Sequence, residues 1–219
     1  MSGTAVAASR RIRYNAVAMS EQDETPRWLG GCFIVSDFDL VDPNFHRAVV
    51  LMIDHDEEGA FGLVVNRPSP FTLGEVVEGL DDSPASSIPV YVGGPVQQNA
   101  LFVLHEEPHA GDVAGDAAEQ PVEGVAFEPA TQPLMDWLKG EWGDLPEAER
   151  PAVRVYVGYS GWASGQLEGE LEAEAWLVLR ATPEIVFHPD PRNAWAEALA
   201  RTGPLYQIIL QTGFKPSMN

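Results

Sequence analysis

The sequence predicts an α+β fold: a mixed, mostly antiparallel sheet with helices set between its strands. Two observations carry this. Short, β-rich apolar runs alternate with segments that carry helix-start signals. Several of those runs are also joined by turns of hairpin length, too short for the crossover that a parallel pair needs. At 219 residues the chain suits one domain of generous size. Residues 1–27, small and polar without sustained periodicity, are expected to be a disordered N-terminal tail, with Met19 an alternative start; residues 28–219 are expected to be the single domain.

From Trp28 onward the texture changes. GGCFIVS is a first apolar run, and AVVLMIDH followed by AFGLVVN across the turn DEEG predicts a β-hairpin. Thr72 with Glu75 three residues on forms a capping-box pattern, so TLGEVVEGL predicts a short helix. IPVYVG and ALFVLH are strands joined through Gly93, Gly94 and Pro95, and Glu106 to Gly124 is the longest expected loop. A short strand near VAFEP and a helix near QPLMDWLKG follow, with a polar connection through Arg150. AVRVYVG alternates as a strand with one face buried, SGQLEGELEAEA is expected to be helical, and WLVLRA returns as a strand. Thr182-Pro183 and Asp190-Pro191 open two further helices, the second stopped by Gly203.

Composition narrows the function. Thirty-three acidic against 13 basic residues give a net charge of −20. Residues 1–18 carry Arg10, Arg11 and Arg13 and no acid, so removing their +3 leaves the rest of the chain at −23. A field of that sign repels phosphate backbones, which makes direct nucleic-acid binding unlikely. No apolar run nears the roughly 20 residues that span a bilayer, so no membrane is expected, and no secretory leader is visible. Cys32 is the single cysteine, which excludes an intramolecular disulfide and fits a reducing, cytoplasmic setting.

Two motifs resemble catalytic signatures. HEEPH, residues 105–109, matches the zinc pattern H-E-x-x-H, which works because residues four apart share one helix face. Pro108 breaks that helix, and the preceding NALFVLH reads as a strand, so His105 ends a strand, His109 lies in the loop beyond, and no metal is expected. GYSGW, residues 158–162, resembles the G-x-S-x-G nucleophile elbow but has Trp162 where the second glycine is needed. It is expected to be an architectural turn between strand and helix, with glycines that matter more than Ser160.

VDPNFHRAVVLMIDHDEEGAFGLVVNRP, VYVGGPVQQNALFVLH and VYVGYSGWASGQLEGELEAEAWLV resemble, in order and spacing, three signature blocks of the bacterial AlgH/YqgE family. The resemblance runs from about Gly31 to Trp195. It implies a bifurcated sheet folded into a pseudo-barrel with flanking helices, and, from the family's name, a regulatory role in transcription. Ser160 stands where alanine is common in the family, which counts against it as a nucleophile. The resemblance carries over no catalytic residue and no cofactor.

If a cleft exists, it is expected at the strand ends, where Asn66, Arg67, Gly93, Gly94, His105, Gly158, Tyr159, Gly161, Trp162, Gln166 and Glu168 collect. The favoured function is a cytosolic, non-enzymatic binding or regulatory protein whose partner is a protein or small ligand. The alternative is an enzyme that clamps an anion with Arg67 and moves protons through His105, Tyr159 and Glu168. A DNA-binding regulator comes third.

Overall fold

The computed structural model describes residues 27–80, 82–106 and 119–214. The strands are β1 (Cys32–Ser36), β2 (Val49–His55), β3 (Gly59–Val64), β4 (Pro68–Thr72), β5 (Pro89–Val92), β6 (Val96–Glu106), β7 (Glu119–Val122), β8 (Val125–Pro129), β9 (Val153–Ala163) and β10 (Trp176–Arg180). The helices are α1 (Leu73–Val76), α2 (Gln132–Lys139), α3 (Glu141–Asp144), α4 (Gln166–Glu172), α5 (Pro183–Val186), α6 (Pro191–Arg201) and α7 (Pro204–Thr212).

Among the described residues one sheet runs β10-β1-β2-β3-β9-β6-β8-β7, with β5 attached to β9 and β4 to β5. It is mostly antiparallel and curls into a half-barrel with helices outside, the α+β architecture expected. The pairing of β5 with β9 is parallel. The bifurcation lies in β9. One edge of this long strand pairs with β6, while the other pairs first with β5, at Val155–Val157, and then with β3, at Ser160–Ala163.

Strands β1 and β2 read as unbroken apolar runs because both of their faces are covered. Phe33, Val35, Val49, Leu51 and Ile53 point into the barrel, where they meet Leu63, Leu104, Tyr156, Leu177, Leu179 and the α5–α6 residues Ile185, Val186 and Trp195. Cys32, Ile34, Val50 and Met52 point outward and are covered by Leu167 and Leu171, one turn apart on α4. A third cluster packs Leu134, Trp137 and Leu138 of α2 over Val90, Val103 and Val155. Each large aliphatic side chain buried this way contributes about 1.5–3 kcal/mol.

The structure corrects several expectations. The run Glu106–Gly124 is not all loop, because β7 starts at Glu119 and returns against β8. Pro68–Thr72 is a strand despite two prolines, paired only to β5 among the described residues, an edge position that proline tolerates. The short Gly93–Pro95 link does not make a hairpin, since β5 and β6 lie on opposite edges of β9. GYSGW is not a turn between strand and helix: β9 continues through it to Ala163, and the chain turns only at Gly165, whose φ is +75°. Gly203 does stop α6, but α7 begins at once with Pro204, a helix the sequence reading missed. His109 and most of the predicted tail lie outside the described residues.

Candidate functional site

Gly93, Gly94 and Gly158 build the fork of the sheet. Gly93 donates to the Val157 carbonyl (2.9 Å) and accepts from the Val64 amide (2.9 Å), so it joins β5, β9 and β3 at one residue. A β-carbon at Gly93 would collide with the Gly158 carbonyl, and one at Gly94 would collide with the Tyr159 peptide. Gly158 has φ +67° and sits where the β6–β9 register shifts between Val96 and Leu101, a bulge that lets β9 change neighbours. Gly161 has ordinary φ. Ser160 is fully buried, and its hydroxyl donates to the Gly93 carbonyl at 3.1 Å, which fastens the fork and keeps this hydroxyl from solvent.

Most of the polar candidates are engaged in the fold. Asn66 accepts from the Val49 amide (2.9 Å) through Oδ1 and donates to the Arg47 carbonyl (2.9 Å) through Nδ2. The Arg67 guanidinium donates to the carbonyls of Asn44 and His46, clasping the loop before β2. Partial burial pulls its pKa below the ordinary arginine value, with Asp42 opposing the shift. His105 is 1% exposed and holds Glu128 Oε1 through Nε2 at 3.0 Å. Glu168 takes His55 Nε2 at 3.3 Å, and His55 Nδ1 in turn accepts from the Leu29 amide at 3.1 Å. That bond seats the first residues of the domain on the end of β2. The Glu170 carboxylate gathers three donors: the Trp162 indole (2.9 Å), the Trp176 indole (2.8 Å) and the Gln166 amide (2.9 Å).

Sequence reasoning missed Glu170, although its spacing of four from Gln166 on a predicted helix was a usable signal. It also missed Arg154, which lies inside the barrel at 8% exposure. This side chain donates to the carbonyls of Val65, Val186 and His188, capping the C-terminal end of α5, and its guanidinium stands 4.6 Å over the Tyr91 ring. Burial drives the Tyr156 phenol far above its ordinary pKa, with Arg154 opposing the shift, and raises Tyr91 for the same reason.

Of the eleven sequence candidates, Tyr159, Gly161 and Trp162 line one open groove of about 500 Å³ at the start of β3. Its floor is aromatic: Phe61 lies 4.7 Å from Tyr159, ring centre to ring centre, and Phe102 backs both rings. Its rim is acidic, formed by the exposed Asp54, Asp56 and Glu58 of the β2–β3 hairpin. The arrangement suits a ligand with a cationic group and a flat or apolar body, by charge and by cation–π contact. Arg67, His105 and Glu168 are not among the residues lining it. The acidic hairpin was visible in the sequence only as a turn; its meeting with Tyr159 depends on the β3–β9 pairing, which sequence spacing does not give. A second groove, about 420 Å³ between Gly31, Pro121 and Arg180, contains none of the candidates.

Among the described residues no group of three or more His, Cys, Asp or Glu is placed to hold a metal ion. No helix among them is long and apolar enough to cross a membrane.

The AlgH-like family model matches residues 33–207. The chain belongs to the AlgH-like family. A UPF0301 protein of Streptomyces coelicolor is 36% identical over 87% of this chain and 95% of its own length, and one from Chlorobium luteolum is 32% identical over 90% and 98%. The solution structure of the AlgH protein from Pseudomonas aeruginosa superposes with a TM-score of 0.65 at 33% identity, covering 90% of this chain and all of that one. A Corynebacterium diphtheriae crystal structure superposes with a TM-score of 0.66 at 21% identity, covering 88% and 95%, and supports the fold alone. The three signature blocks are those of an AlgH-like chain, and Gly93, Gly94 and Gly158 of the second and third blocks meet at the fork.

Proposed function

We propose that this AlgH-like protein is a cytosolic, non-enzymatic binding protein, regulatory in role, and that the groove beside Tyr159 is its recognition surface. The observation that carries this reading is the division of labour in the site. Asn66, Arg67, His105 and Glu168 are tied to partners that hold loops and strands together, whereas Phe61 and Tyr159 line an open groove under an acidic rim. Its ligand is a protein segment or small molecule with a positive charge beside an apolar face, which the −20 net charge also attracts. Nucleic acid is a poor occupant for the same reason.

The test compares material that co-purifies with the full chain from its own cytosol, read by native mass spectrometry, for the wild type and for Asp54→Lys/Glu58→Lys. Both positions are exposed, so the fold should persist. Ligands held by the wild type and lost by the variant support the reading. Equal retention by both proteins sinks it.

A further inference from the structure

We propose that the basic segment at residues 10–14 of this same chain docks in the acidic, aromatic groove and is the occupant that any outside ligand must displace. The inference rests on the reading of the groove as a recognition surface and names its first partner.

Charge complementarity is the first support. Arg10, Arg11 and Arg13 are three of the 13 basic residues, and residues 1–18 contain no acid, so they form the most basic stretch of an otherwise strongly acidic chain. The groove faces them with Asp54, Asp56 and Glu58, and Glu57 stands in the same turn. Chemistry beyond charge also matches. The sequence RRIRY supplies guanidinium planes, which stack on rings such as Phe61 and Tyr159, together with an isoleucine and a tyrosine for the apolar floor.

Position in the fold is the second support. The first described residues meet the fold at the end of β2, the strand that carries the rim residue Asp54. The Trp28 ring packs against His55 at 5.2 Å and the Leu29 amide binds that histidine, which sits in sequence between the rim residues Asp54 and Asp56. The 14 steps of chain from Arg13 to Arg27 reach at most about 50 Å. Covalent attachment makes the encounter intramolecular, at an effective concentration of about a millimolar. Weak, exposed ion pairs suffice at such a concentration, and the contact remains displaceable by a tighter ligand.

The experiment uses the full chain. Cys32 is buried, so Ser9→Cys provides the one accessible thiol for a nitroxide label next to the arginines. The expected result is selective loss of amide NMR intensity at residues 59–61 and 159–162. Arg10→Glu/Arg11→Glu/Arg13→Glu in the labelled chain restores that intensity, as does Asp54→Arg/Glu58→Arg; combining both sets brings the broadening back, because the charges are then exchanged. Uniform broadening over the acidic surface, selective broadening at another face, or indifference to the charge reversals overturns the proposal. None of those results touches the co-purification test, so the groove reading survives them. Conversely, equal retention by the Asp54→Lys/Glu58→Lys protein removes the outside ligand without altering what the spin label reports.

Discussion

Replacing Gly93 by alanine should remove a large share of the protein's stability, although it adds a single methyl group. The new β-carbon would overlap the Gly158 carbonyl and approach Leu63 Cδ2 to 2.9 Å. A leucine tip can rotate away; a backbone carbonyl held between strands cannot. Overpacking of this kind costs about 1–3 kcal/mol. Relieving it by moving β5 away from β9 strains the two ladder bonds of Gly93, each contributing about 0.5–1.5 kcal/mol. The combined loss of roughly 2–6 kcal/mol is a large share of the 5–15 kcal/mol that holds an ordinary domain together. Two glycines serve as controls. Gly124 has φ +79° with nothing within 4 Å of a β-carbon, so Gly124→Ala should cost only about 1–2 kcal/mol of backbone strain. Gly169 lies in α4 with open space around it, so Gly169→Ala should stabilise by about 0.5–1 kcal/mol. Urea midpoints of the three full-length variants decide the matter. A Gly93→Ala protein within 1 kcal/mol of wild type, or no less stable than Gly124→Ala, would refute the fork as the reason for this glycine.

Ser160→Ala should lose about 0.5–1.5 kcal/mol in the same assay, because the Gly93 carbonyl keeps its bond from Val64, and it should retain whatever the wild type binds. Arg154→Leu should cost 3 kcal/mol or more, on the order expected when buried carbonyls at a helix end lose a charged donor, with the earliest hydrogen-exchange change at α5. The Glu197 carboxyl is held below its ordinary pKa by His188 first and by Arg201 second. Its contribution is therefore complete above the ordinary carboxylate range and is lost as pH falls through the lowered value. Since Glu197 is largely exposed, Glu197→Gln should cost less than about 1 kcal/mol at pH 7, and the gap should close in acid; a gap that widens in acid would reverse the sign.

Strands with strong local patterning were legible from the sequence. The β2–β3 hairpin, β8 and β10 lie where apolar, β-branched runs placed them, and Pro183 and Pro191 open helices as their fixed φ predicts. The errors share a cause. The bulge at Gly158 lets a strand continue through a sequence that looks like a turn, and β4 and β7 exist through pairing rather than composition. His105 lies near the end of β6, as the strand reading of NALFVLH placed it, and its imidazole is bonded to Glu128 rather than set in the groove. The groove was only partly legible: Tyr159, Gly161 and Trp162 were singled out, but Phe61 and the acidic hairpin reach them across the β3–β9 register. Arg154 escaped notice because an arginine within an alternating strand ordinarily marks the solvent face; here the barrel interior supplies backbone carbonyls to receive it.

The division between structural fork and recognition groove is tested most directly by following amide signals of the isotope-labelled full chain as unlabelled extract of the cells it comes from is added. Labelling makes only this protein visible. The predicted result is shifting or broadening at residues 54–61 and 159–162, with the fork residues 90–93 and 153–157 unchanged. Changes centred instead on Arg67 and His105, with the groove silent, would contradict the account.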